Sequence, residues 1–136
     1  MTPAQAELVI ATWKKVEPIA PTAATLFYGK LFELDPALRP LFSGDLEEQK
    51  KKLMMTLGFA VGSLSRPDTL LPAVRQLGKR HAGYGVKDKH FATVAAALLW
   101  TLEQGLGADW NDDVRDAWAA VYGVVAATMK EGMAEA

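Results

Sequence analysis

LLPAVRQLGKRHAGYG, residues 70–85, sets Leu70, Val74, Leu77 and His81 at intervals of four, three and four. That spacing predicts one face of a single helix, apolar throughout except for the closing imidazole. Gly83 and Gly85 follow, so the helix is expected to end just beyond the histidine. The imidazole then stands at the end of a buried face, where a metal or cofactor could meet it. The plainer reading is a core histidine satisfied by a carbonyl. Both stay open until the rest of the chain is read.

Outward from this stretch the pattern stays helical. Thr2-Pro3-Ala4-Gln5 carries a cap, a proline at the first helical position and a glutamine three residues past the cap. The first helix is expected to run to about Pro18, with Leu8, Ile10, Ala11, Trp13 and Val16 available to pack. Pro21 opens a second, with Ala24, Phe27, Tyr28 and Leu31 on one face, ending near Asp35-Pro36. A connector to Phe42 leads to a third helix from about Leu46 to Leu64, capped by Asp45, with Gln49, Leu53, Leu57 and Ala60 inward. Arg66-Pro67-Asp68 starts the helix that ends on His81. Asp88 caps a fifth, from Phe91 to Leu106, and Val114 to Met129 repeat at helical spacing in the last. Short loops and the absence of any strand pattern predict a compact all-α bundle and one domain over residues 1–136.

Composition narrows the function. Fifteen basic and 16 acidic residues give a net charge of −1, so nothing favours nucleic acid. With no cysteine, neither a disulfide nor a thiolate metal site is available. The first residues lack the pattern of a signal peptide, and Val94 to Trp100 is too short to span a bilayer, so a cytoplasmic location is expected.

Three polar residues break the inward faces: Tyr28, Gln49 and His81, each on a different helix. Burying a polar group without a partner costs about 1–3 kcal/mol. Three in so small a domain point to one polar object inside the bundle, or to three separate bonds to backbone carbonyls.

The ordered set resembles the globin family over essentially the whole chain, in particular bacterial single-domain globins, the haem domain of flavohaemoglobins and neuroglobin. Trp13 matches the first-helix tryptophan. Pro36 and Phe42 match the connector proline and the haem-stacking phenylalanine. Tyr28, fourteen residues before Phe42, has the spacing of the distal second-helix residue. Gln49, Lys52 and Leu53 match three distal positions, His81 matches the proximal ligand, and Trp118 through Tyr122-Gly123-Val124 resembles the last helix. The resemblance implies a globin fold of about six to seven helices around haem b. It implies His81 as the iron ligand, its second nitrogen donating to the Leu77 carbonyl. It also implies haem contacts from Phe42, Gln49, Lys52, Leu53, Leu77, Val86 and Phe91.

The implied chemistry is reversible, high-affinity binding of dioxygen, for storage, scavenging or transport, with carbon monoxide and nitric oxide as further ligands. A dioxygen ligand on ferrous haem carries partial negative charge, which the Tyr28 hydroxyl and the Gln49 amide would stabilise as donors. Leu53 would be a wall. Lys52 would reach a haem propionate; a solvated side chain and a ferric iron ligand are its other readings. Lys79 and Arg80 read as propionate partners or as a solvated face. The alternative function is nitric oxide dioxygenation with an external reductase, because bound dioxygen can react with nitric oxide; against autonomous turnover, Phe91 stands where flavohaemoglobins have a proximal tyrosine and Met133 where they have a glutamate. His90 reads as a surface or cap residue, and Met54 and Met55 as core filling. A monomer and a homodimer are both compatible with the sequence.

Overall fold

The computed structural model describes the chain apart from residues 43, 84–86 and 136 and the side chains of residues 67 and 88. Among the described residues there are six α-helices and no strand. They are α1 (Pro3–Val16), α2 (Ala20–Leu34), α3 (Leu46–Gly62), α4 (Pro67–Ala82), α5 (Asp88–Leu106) and α6 (Asp112–Ala134).

Local chemistry sets most of the boundaries. The Thr2 hydroxyl accepts from the Gln5 N–H at 3.1 Å while the Gln5 side chain accepts from the Thr2 N–H at 2.9 Å, closing the expected capping box. Asp45 caps α3 by accepting from the Glu47 N–H at 2.9 Å, and Asn111 caps α6 by accepting from Val114 at 2.9 Å. Three boundaries differ from the sequence reading. α1 stops at Val16, because Pro18 falls in a 3₁₀ turn over Glu17–Ile19. α3 stops at Gly62, short of Leu64, and the connector before it is 3₁₀ over Pro36–Leu41. At α5 the cap position is Lys87, with Asp88 already helical.

The core is drawn from all six helices and the connector. On α1, Val9 is fully buried and Ala11 is exposed, the reverse of the sequence expectation, because the helix turns its Val9–Thr12–Trp13–Val16 face inward. The Trp118 indole N–H donates to the Thr12 hydroxyl at 2.9 Å, which in turn donates to the Leu8 carbonyl at 2.7 Å. This satisfies both polar groups inside the α1/α6 contact. Met54 packs against the core, but Met55 is 74% exposed. One residue along a helix turns a side chain by 100°, so only one of the pair can face inward.

The packing order matters for the site. α3 packs on α1 and α2, and α4 on α6, whereas α3 and α4 share at most marginal contact among the described residues. The helices bearing Gln49 and His81 are thus held by separate supports.

Candidate functional site

On the α2 side, Tyr28 is 5% exposed. Its ring is enclosed by Phe27 at 5.1 Å, Phe42 at 5.4 Å and Phe32 at 5.9 Å between centroids, two of these edge-on. Its hydroxyl lies 3.5 Å from the Gln49 carbonyl oxygen, at the outer limit of a hydrogen bond. Three of the residues singled out from sequence, Tyr28, Phe42 and Gln49, therefore meet where α2, the connector and α3 converge. The phenol there is buried with only a marginal acceptor, which leaves its proton available to a better one.

Burial pushes the Tyr28 phenol up from 10 to about 12, and it also pushes Tyr122 upward. Because the folded value exceeds the unfolded one, the unfolded chain ionises first. The stabilisation is whole below pH 10 and is lost as pH rises through 12, about 3 kcal/mol for Tyr28. Alkaline titration of phenolate absorbance beside far-ultraviolet circular dichroism is expected to show Tyr28 ionising only as helix is lost. A Tyr28 phenolate near pH 10 in fully helical protein, identified by difference from Tyr28→Phe, contradicts this placement.

On the α4 side, Leu70 and Val74 are buried, while Leu77 and His81 are half-buried. The His81 Nδ1 lies 2.8 Å from the Leu77 carbonyl oxygen. A carbonyl only accepts, so Nδ1 carries a proton and donates, which in the neutral ring leaves the lone pair on Nε2. This orients the ring in the manner of a metal-ligating histidine, whose second nitrogen is usually tied to an acceptor.

What fixes α4 itself was not evident from the sequence. α4 and α6 cross backbone to backbone. A Cβ on Gly78 would run into the Met129 carbonyl oxygen and come 2.8 Å from its carbon. A Cβ on Gly132 would run into the Arg75 carbonyl oxygen and come 2.9 Å from its carbon. Two glycines, one per helix and facing reciprocally, thus pin α4 three residues before His81. Around the crossing, Arg75 pairs with Glu131 at 2.9 Å and with Glu135 at 3.6 Å, and Lys79 with Glu135 at 3.6 Å. Lys79 is therefore occupied on α6, and Arg80 is exposed.

The remaining residues fall as follows. Leu53 is half-buried against the core and Lys52 is exposed on the same helix. Val86 lies outside the described residues. Phe91 is buried beneath the Lys130 ammonium, 5.1 Å from its ring centroid, and its carbonyl accepts from the Tyr122 hydroxyl at 2.7 Å. His90 is a cap residue, not a surface one: it is 8% exposed, and its Nδ1 accepts from the Lys87 N–H at 3.0 Å. Among the described residues no group of three His, Cys, Asp or Glu could hold a metal by itself.

Comparison with known proteins agrees with this geometry. Residues 25–129 match the family model for globins. The chain is 30% identical to neuroglobin-1 of Oncorhynchus mykiss, over 99% of its own length and 94% of the relative's. It is 31% identical to neuroglobin of Danio rerio, over 94% and 89%. Among solved structures it superposes with a TM-score of 0.90, at 26% identity, on an engineered carbene transferase from Rhodothermus marinus described as a putative nitric oxide dioxygenase, covering 99% of this chain and 94% of that one. A hexacoordinated haem protein from an anhydrobiotic tardigrade shares the fold, with a TM-score of 0.88 at 18% identity and coverage of 98% and 96%.

The chain belongs to the globin family. It is accordingly a haem protein that binds diatomic ligands, and no helix among the described residues is long and apolar enough to cross a membrane.

Proposed function

We propose that this globin binds dioxygen reversibly and tightly, with His81 as its protein ligand to iron and Tyr28 and Gln49 as donors to the dioxygen. The observation that carries this reading is the buried Tyr28 hydroxyl, 3.5 Å from its acceptor at the junction with Gln49. The donor set fits a haem: a neutral imidazole on α4, a phenol and an amide on the opposite support, and little contact between the helices bearing them. With no cysteine to form a thioether, the haem is held without covalent attachment, as haem b. Residues 1–136 are read as one globin domain.

When bound, haem would supply an iron that takes a diatomic ligand. The Leu77 carbonyl holds the His81 ring. The Tyr28 hydroxyl, held only marginally by the Gln49 backbone carbonyl, would donate to a negatively polarised ligand, and the Gln49 amide would add a second donor. Leu53 and Phe42 bound the space from α3 and the connector, and Leu77 bounds it from α4. Lys52, already exposed, reaches a propionate.

Tyr28→Phe removes one hydroxyl and keeps the ring packing. Oxygen dissociation is expected to accelerate roughly 5- to 150-fold, the equivalent of about 1–3 kcal/mol, while carbon monoxide association stays nearly constant. Stopped-flow displacement measures both. An unchanged oxygen off-rate contradicts the role of Tyr28.

A second reading draws on the Rhodothermus marinus protein, described as a putative nitric oxide dioxygenase. The same pocket could join nitric oxide to dioxygen as nitrate, with one electron per turnover from an external reductase. Phe91 and Met133 offer neither a hydroxyl nor a carboxylate to His81, so this chain lacks the proximal pair associated with such turnover in flavohaemoglobins. Oxygen storage or scavenging is the better match.

A further inference from the structure

We propose that the outer face of the α5/α6 pair joins two copies of this chain, antiparallel, about a twofold axis crossing Ala96 and Gly123. On α5 thirteen consecutive residues between Lys89 and Glu103 carry no formal charge, and on α6 the thirteen between Asp116 and Lys130 carry none either. Much of this surface is nonetheless open to solvent: Ala92, Ala96, Gly123 and Ala127 are all exposed. A shallow groove of about 390 Å³ runs between the helices, lined by alanines from both and by Phe91 and Tyr122. Exposed helix faces ordinarily carry charge, and a smooth apolar one marks a contact surface.

The charges that border the face select the occupant. Lys89 and Lys130 lie at one end, where the Lys130 ammonium covers the Phe91 ring. Glu103 and Asp116 lie at the other. Each basic residue is fourteen positions from the acidic residue on its own helix, about 21 Å and close to the same side. Ala96 and Gly123 are the two midpoints. A twofold axis lying in the face and perpendicular to the helices sets Lys89 against the partner's Glu103, and Lys130 against the partner's Asp116. An axis parallel to the helices sets basic end on basic end. Among the described residues Lys89, Glu103 and Lys130 have no ion-pair partner within the chain, and only Asp116 is shared, with Arg115 at 3.3 Å.

Gly123 is compatible with a close crossing at the axis. Glycine in a helix interior lowers stability, and at Gly78 and Gly132 the chain's own packing demands it. At Gly123 an added Cβ would meet nothing within 4 Å. Gly29 is equally open, so openness alone marks no contact; at the axis it leaves room for a second backbone. Two helices about 10 Å apart and about 21 Å long offer roughly 1,000 Å² over both copies, the lower bound for a specific interface, so association is expected to be reversible. It rests on none of the haem-site roles above.

Sedimentation equilibrium of the haem-loaded protein from about 1 µM to about 1 mM is the test. A monomer–dimer equilibrium is expected. Gly123→Leu is expected to weaken it at least ~100-fold while leaving helix content and melting temperature unchanged or raised. Lys89→Glu is expected to weaken it about 10-fold, and adding Glu103→Lys to that variant to restore most of the loss, because the exchange re-pairs each residue across the axis. A protein monomeric over the whole range, a dimer indifferent to Gly123→Leu, or a double exchange no tighter than Lys89→Glu alone overturns the proposal. So does growth beyond two copies, since a closed twofold contact stops at a dimer.

Discussion

His81→Ala is expected to abolish stable haem binding. On the proposed arrangement His81 supplies the protein's bond to ferrous iron, and its ring is set by the 2.8 Å contact with the Leu77 carbonyl. Alanine removes the ligand and leaves a half-filled position at the end of α4. The apolar contacts that remain do not replace a metal–nitrogen bond, so haem should pass readily to a scavenging apoprotein, at least ~100-fold faster than from the unaltered protein. The ferrous spectrum of freshly reconstituted variant should also lose its histidine-ligated character, and added imidazole should restore it. Stoichiometric, tightly held haem with an unchanged ferrous spectrum contradicts the assignment.

The second large effect lies outside the pocket. Gly132→Ala is expected to destabilise the fold by about 3 kcal/mol, lowering the melting temperature by roughly 10–15 °C. The new Cβ would collide with the Arg75 carbonyl and lie 2.9 Å from its carbon and 3.1 Å from its Cα. These are backbone atoms of a helix and cannot turn aside as a side-chain end would. α4 and α6 must separate, and the gain of about 1 kcal/mol in helix propensity is too small to offset that. Gly29→Ala is the control, since a Cβ there meets nothing within 4 Å, and it is expected to raise stability slightly. Because α4 carries His81, Gly132→Ala should also loosen haem. Equal melting temperatures for the two variants contradict the close crossing.

These two sites differ in how far the sequence reveals them. The face ending on His81 is a periodic pattern within sixteen residues, and its Nδ1 contact to Leu77 follows from helix geometry, a carbonyl four residues back. Tyr28, Gln49 and Phe42 could be singled out because each is an exception to, or a punctuation of, a local pattern, and the structure brings them together. Gly78 and Gly132 carry no such mark. A helical glycine reads only as a local cost, and its reason lies on another helix, at Met129 for Gly78 and at Arg75 for Gly132. Val9 and Ala11, or Met54 and Met55, show the other limit. On an α-helix rich in apolar residues the pattern narrows the inward face without fixing its rotation, and tertiary packing then chooses.

Family resemblance leaves the two histidines to be distinguished by their surroundings. His90 is buried, with its Nδ1 taken by the Lys87 N–H at 3.0 Å at the start of α5, whereas His81 ends the apolar face of α4. On the proposed arrangement Gln49, not a histidine, takes the distal position. Electron paramagnetic resonance of the ferric protein near neutral pH tests this arrangement most directly. The expected result is a pH-dependent spectrum of water or hydroxide opposite one histidine. A bis-histidine low-spin signal that disappears in His90→Ala would contradict it.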